Sequence, residues 1–201
     1  TDGGAGGPDD ATDVSPEARR RISETRKVEQ RAAGEILGLA DVIFLDYPDG
    51  QLQPTLELRR DIVRLIRTYR PERIISPCPD RVWEPVYNVR RHHPDHLAAG
   101  EAVMAAVYPA PQNPWDFPEL LAEGLQPHKV SEIYVTGAPV LNYAVDISET
   151  IDLKIAALRA HQSQLGDHFD QIERMVRTWA ADRGARHGMA YAEEFHRIIN
   201  W

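Results

Sequence analysis

A chain of 201 residues with 42% apolar and 27% charged side chains is long enough for one sizeable core and has an ordinary globular composition. Its formal net charge of -8 leaves no excess of Lys and Arg to neutralise phosphates, which excludes a sequence-independent nucleic-acid binder. The single cysteine, Cys78, excludes an internal disulfide and a multi-cysteine metal site, and no apolar run reaches the ~18 residues of a membrane span, so a cytoplasmic location is the default expectation.

Residues 2–13 are rich in Gly, Asp and Pro and read as loop. Ser15 followed by Pro16 is a helix start, and the helix is predicted to run to Leu37 and stop at Gly38. Val42, Ile43, Phe44 and Leu45 form an apolar run of strand length, closed by the turn Asp46-Tyr47-Pro48-Asp49-Gly50. Apolar spacing from Thr55 predicts a helix ending before Pro71, and Arg73-Ile74-Ile75-Ser76 reads as a buried strand. Pro94 opens another helix, extending to about Tyr108. A Pro- and aromatic-rich connection over residues 109–127 leads to a strand at Ile133-Tyr134-Val135-Thr136 and to a helix capped by Ser148 or Asp146. Residues 169–201 read as two amphipathic helices separated near Gly184 to Gly188. Alternating helices and strands with short connections imply an α/β fold with a mainly parallel sheet flanked by helices. We expect a single domain over 1–201, with 165–201 as its helical tail. In such sheets ligands bind beyond the carboxyl ends of the strands, which selects the loops after Leu45 and after Ser76.

The helix starting at Pro94 is preceded by a cluster of chemistry-bearing groups, Arg91-His92-His93-Pro94-Asp95-His96. His93 falls at the cap and His96 in the first turn, three apart, so the two rings can converge on one point. The positive end of the helix dipole favours the neutral imidazole that a metal requires. The alternative is a His-rich loop end that merely caps the helix.

His93-Pro94-Asp95-His96 followed by Leu97-Ala98-Ala99-Gly100 resembles the second metal motif of the LmbE-like, or PIG-L, family of zinc-dependent N-deacetylases. Further segments agree in order: Thr1-Asp2-Gly3-Gly4-Ala5-Gly6, Arg26 and Glu29 with Leu37-Gly38, Pro48-Asp49-Gly50, and Lys154 with His161-Gln162-Ser163-Gln164. The resemblance implies a Rossmann-like fold, one Zn(2+) ion, and hydrolysis of an acetamide on a small-molecule amino-sugar substrate of the N-acetylglucosamine type. By position it implies His96 as a zinc ligand, His93 as the catalytic donor to the oxyanion, Asp95 as the group orienting His93, and Arg26 and Asp49 as substrate-binding residues. The family's first motif, Ala-His-Pro-Asp-Asp, is not in this chain. Gly7-Pro8-Asp9-Asp10 has Gly where the ligating His belongs and follows no strand. We therefore expect the first two strands of the sheet, roughly 40 residues with their helix, to be missing from the sequence given. A catalytically inactive, sugar-binding relative is the alternative function.

Other readings carry less. Asp49 is equally explained as a turn residue, and Arg26 with Glu29 as an exposed ion pair. Cys78 between prolines reads as a small buried residue rather than a nucleophile. Asp80, Arg81, Trp83, Glu84 and Tyr87 lie in the loop ahead of the metal motif, where they could shape a sugar pocket or equally pack the loop. His161, His168, His187 and His196 show no ligand spacing and read as surface or satisfied residues. Trp179 and Trp201 fit either core or a subunit contact, which leaves a homo-oligomer open.

Overall fold

The computed structural model describes every residue except Asp9, residues 84–87, Arg90 and Arg91. The readings that fell on Asp9, Glu84 and Tyr87 thus lie outside the described residues. In chain order the elements are α1 (Pro16–Leu37), α2 (Leu56–Tyr69), β1 (Arg73–Pro77), α3 (Pro94–Val107), α4 (Pro118–Ala122), β2 (Glu132–Thr136), β3 (Tyr143–Asp146), α5 (Ile151–Arg159), α6 (Gln162–Leu165), α7 (Phe169–His187) and β4 (Ala192–Ile199). They form two compact units, Thr1–Gly50 with Ala144–Glu194, and Gln51–Tyr143 with Phe195–Trp201.

In the first unit the start of α1 is where the sequence puts it. The Ser15 hydroxyl accepts a hydrogen bond from the Ala18 N–H at 3.2 Å, Pro16 occupies the first turn, and Gly38 ends the helix at φ 69°. Helix α1 packs along α5, and Ile147, Ile151 of α5 and Ala180 of α7 form a buried cluster. Helix α5 starts after Thr150 rather than at Ser148 or Asp146, because the Asp146 carboxylate accepts from both the main chain and the hydroxyl of Ser148 and closes a local turn. Residues 42–45, predicted as a strand, belong to no sheet among the described residues. An apolar run sets only a preference for extended backbone, and a strand also needs a partner; here Ile43 is 42% exposed.

The second unit holds the parallel pair β1 and β2, in register from Arg73↔Glu132 to Pro77↔Thr136. The neighbour order in the sheet is β1-β2-β4-β3, with β4 antiparallel to β2. Strand β4 corrects the expectation of a second tail helix. Its apolar residues Ala192, Phe195 and Ile198 are spaced by three and so imitate a helix face, but pairing of Ile198 with Ile133 and of His196 with Val135 overrides that local pattern. Helix α3 packs on β1 and α2 on α3, and Ile66, Val107, Val130, Ile133 and Val135 are buried together.

Two polar groups hold this unit together. The guanidinium of Arg67, 2% exposed on α2, is ringed by the carbonyl oxygens of Ala110, Pro111, Asn113, Asp116 and Phe117. Burial pushes its pKa down, opposed by the charges of Asp116 and Glu119. At the start of β2, Glu132 accepts hydrogen bonds from Arg197, from the Tyr134 hydroxyl at 2.6 Å and from Arg73 at 3.1 Å. These donors, Arg197 first, lower its pKa from 4.5 to about 2. A depressed carboxylate stabilises the fold above its unfolded pKa and loses that contribution as pH falls through the folded value. Glu132→Gln is therefore expected to flatten the loss of stability between pH 4.5 and about 2, read from denaturant midpoints across that window. An unchanged slope would remove Glu132 from acid unfolding.

Candidate active site

Helix α3 is held against the exit of β1 by a residue with no side chain. A Cβ on Gly100 would stand 2.6 Å from the Pro77 carbonyl oxygen and 2.9 Å from the Pro79 nitrogen, so only glycine allows this approach. The first turn of α3 is thereby fixed relative to the end of the strand. His93 is its N-cap, and its Nδ1 accepts the N–H of Asp95 at 3.2 Å. An Nδ1 that accepts carries no proton, so the neutral ring bears its proton on Nε2 and presents it as a donor. The His93 and His96 rings lie 5.2 Å apart between centroids, and both residues are exposed.

Asp95, expected to orient His93, is buried, and its carboxylate accepts the Leu52 N–H at 3.2 Å. It thereby ties the segment before α2 to the α3 N-terminus, while the Asp95 main chain engages the His93 ring. His92, for which the sequence suggested no role, is buried, with its Nε2 accepting from the Val82 N–H at 3.4 Å. Cys78 is half-buried, and burial foremost pushes its thiol pKa up, opposed by the Asp80 N–H. A thiol raised in this way is a poor nucleophile, as the sequence suggested.

In the first unit, the two substrate-binding candidates come to the same loop. Arg26 donates from Nη2 to the Gly6 carbonyl at 2.6 Å, and Asp49 accepts from the Ala5 N–H and the Thr1 hydroxyl, both at 3.2 Å. The ion pair offered as the alternative for Arg26 and Glu29 is replaced by separate partners. The Glu29 carboxylate accepts from the Ser163 N–H at 2.6 Å and its hydroxyl at 2.7 Å, fastening α1 to α6. Sequence reasoning missed Asp2, whose Oδ1 accepts the N–H groups of both Gly4 and Asp49 at 3.0 Å. The signal was available, since Asp before Gly-Gly is a pattern that bonds its own backbone two residues on. His187 pairs with Glu194 and His196 with the Val140 carbonyl, each at 2.8 Å, as satisfied residues should.

A catalytic zinc centre uses three protein ligands and keeps one position open. Among the described residues no group of three or more His, Cys, Asp or Glu side chains is placed to hold a metal ion. The His93 and His96 pair therefore does not complete such a centre. No described helix is long and apolar enough to cross a membrane.

Comparison with known proteins places these features in a family. Diacetylchitobiose deacetylase of Thermococcus kodakarensis is 37% identical over 196 residues, which span 96% of this chain and 68% of that protein. A Bacillus anthracis protein named Probable N-acetyl-alpha-D-glucosaminyl L-malate deacetylase 2 is 31% identical over 158 residues, covering 78% of this chain and 63% of its own length. Among solved structures, N,N'-diacetylchitobiose deacetylase from Pyrococcus horikoshii superposes with a TM-score of 0.83 at 28% identity, covering 98% of this chain and 70% of that one. The helix-flanked mixed sheet is thus the architecture of that structure. The sequence profile of the family described as GlcNAc-PI de-N-acetylase matches residues 1–107, a stretch that carries the glycine loop, Arg26, Asp49 and the whole of α3, and the chain belongs to this PIG-L family.

Proposed function

We propose that the chain serves the hydrolysis of the acetamide of an N-acetylglucosamine-type sugar or sugar conjugate, releasing acetate and the free amine. The observation that carries this reading is His93. Its Nδ1 is occupied by the helix N–H, so the proton sits on Nε2 of an exposed residue, where it can donate to an oxygen that gains negative charge as the amide carbonyl is attacked. Arg26 and Asp49 are the arms that hold sugar hydroxyls, a task suited to a guanidinium and a carboxylate already braced by main-chain groups. The names of the two deacetylase relatives, both directed at N-acetylglucosamine derivatives, support the substrate class.

Zinc dependence belongs to the proposal, with His96 as the ligand this chain supplies and Asp95 as the brace that keeps the turn bearing both histidines in place. The described residues do not by themselves complete the site of such a metal. The experiment is an assay of amine and acetate release from N-acetylglucosamine and N,N'-diacetylchitobiose, run with metal analysis of the same preparation. Release of both products with bound zinc, and loss of both the zinc and the release in His96→Ala, is the expected result. Full zinc retention in that variant sinks the ligand assignment. Binding of the sugars without release would favour the second reading, a sugar-binding relative without turnover.

A further inference from the structure

Residues 1–7 have no part in the roles assigned so far, yet both sugar-binding arms lean on them. Gly6 is the tightest point. An ideal Cβ built there would lie 2.2 Å from Nη2 of Arg26, 2.4 Å from Cζ and 2.4 Å from Nη1. No heavy atom tolerates such distances, so any side chain at Gly6 would force the flexible Arg26 guanidinium out of the place where it now bonds the Gly6 carbonyl at 2.6 Å. Gly3, at φ 71°, lies under the same side chain, where a Cβ would stand 2.9 Å from Cδ of Arg26. On the other side of the loop, Asp2 acts as a clasp. Its Oδ1 accepts from Gly4 and from the main chain of Asp49, and its own N–H donates to the Tyr47 carbonyl at 2.9 Å. The Asp49 carboxylate returns the connection by accepting from Ala5 at 3.2 Å.

We propose that this glycine loop is a positioning element for the sugar site: Gly6 sets where the Arg26 guanidinium lies, and Asp2 sets the turn that carries Asp49. The inference rests on the reading of Arg26 and Asp49 as sugar contacts. Both loop residues act through another side chain, so their effect is on binding and is shared with that side chain.

The test is calorimetric titration of N,N'-diacetylchitobiose into the protein and its variants. Arg26→Ala and Gly6→Ala are each expected to raise the dissociation constant about tenfold, the scale of losing one charge-assisted hydrogen bond. The double variant should bind no worse than Arg26→Ala alone, since the added methyl then has nothing to displace. A second pair guards against a misfolded loop. Asp2→Ala should weaken binding as Asp49→Ala does, while Asp2→Asn, which keeps an oxygen able to accept from Gly4 and Asp49, should bind nearly as the parent. Native-like affinity in Gly6→Ala and Asp2→Ala would overturn the proposal, and so would losses that add fully to those of Arg26→Ala and Asp49→Ala. Unchanged affinity in Arg26→Ala and Asp49→Ala would instead overturn the sugar-contact reading beneath it.

Discussion

Replacing His93 by alanine is expected to lower kcat for amide hydrolysis by roughly 100-fold with little change in KM, the usual consequence of deleting one donor to a developing oxyanion. The same residue caps α3, so the substitution also removes an N-cap, at a cost of about 1 kcal/mol in stability. The two effects separate in His93→Asn. Asparagine caps helices well but cannot extend a donor to where Nε2 lies, so this variant should regain the stability and not the turnover. Paired measurement of kcat and of unfolding midpoints distinguishes the roles. Near-native kcat in either variant would remove His93 from the chemistry and leave it a helix cap.

The largest stability loss is expected at Arg67, far along the chain from the histidines. Arg67→Met keeps the apolar stem and deletes the guanidinium N–H groups that reach the carbonyls of Ala110, Pro111, Asn113, Asp116 and Phe117, of which Pro111, Asn113 and Phe117 keep main-chain donors from His128, Asp116 and Leu120. Ala110 is fully buried, so water cannot replace all of these donors. A buried acceptor left unpaired costs about 1–3 kcal/mol, and with the carbonyls of Ala110 and Asp116 both losing the guanidinium a loss of about 2–3 kcal/mol is expected. Arg67→Lys should recover only part of it, because an ammonium offers three donors from a single point where the guanidinium spreads five over a plane. Urea unfolding gives the measurement. A loss below about 1 kcal/mol in Arg67→Met would show that the 109–117 connection holds its shape without the arginine.

What the sequence made legible follows from the range over which each signal acts. The caps at Ser15, Gly38 and His93 are local, decided by a residue and its near neighbours, and all three stand where the pattern put them. The strands beginning at Arg73 and Glu132 were legible from their short apolar, β-branched runs, although the first, expected to be buried, leaves Arg73 and Ile75 exposed. Residues 42–45 carry that same composition without a ladder, and β4 carries helix-like spacing yet lies in one. In both cases the deciding interaction is with a distant strand, which no local window contains. The candidate site divides in the same way. His93, Asp95 and His96 are consecutive or nearly so, and their common turn was readable. The Leu52 partner of Asp95, the Ser163 partner of Glu29 and the clasp at Asp2 are contacts across 43, 134 and 47 residues, set by the fold rather than by spacing.

Gly100 has a bearing on how such a protein could be improved. Mid-helix glycine is ordinarily the first position a protein engineer would fill, since alanine there gains roughly 1 kcal/mol of helix propensity. In α3 that same exchange would press a methyl into the backbone of residues 77–79, and the helix could accommodate it only by lifting its first turn, histidines included, away from the strand. A thermostabilising library for this chain would therefore leave position 100 fixed and spend its diversity elsewhere.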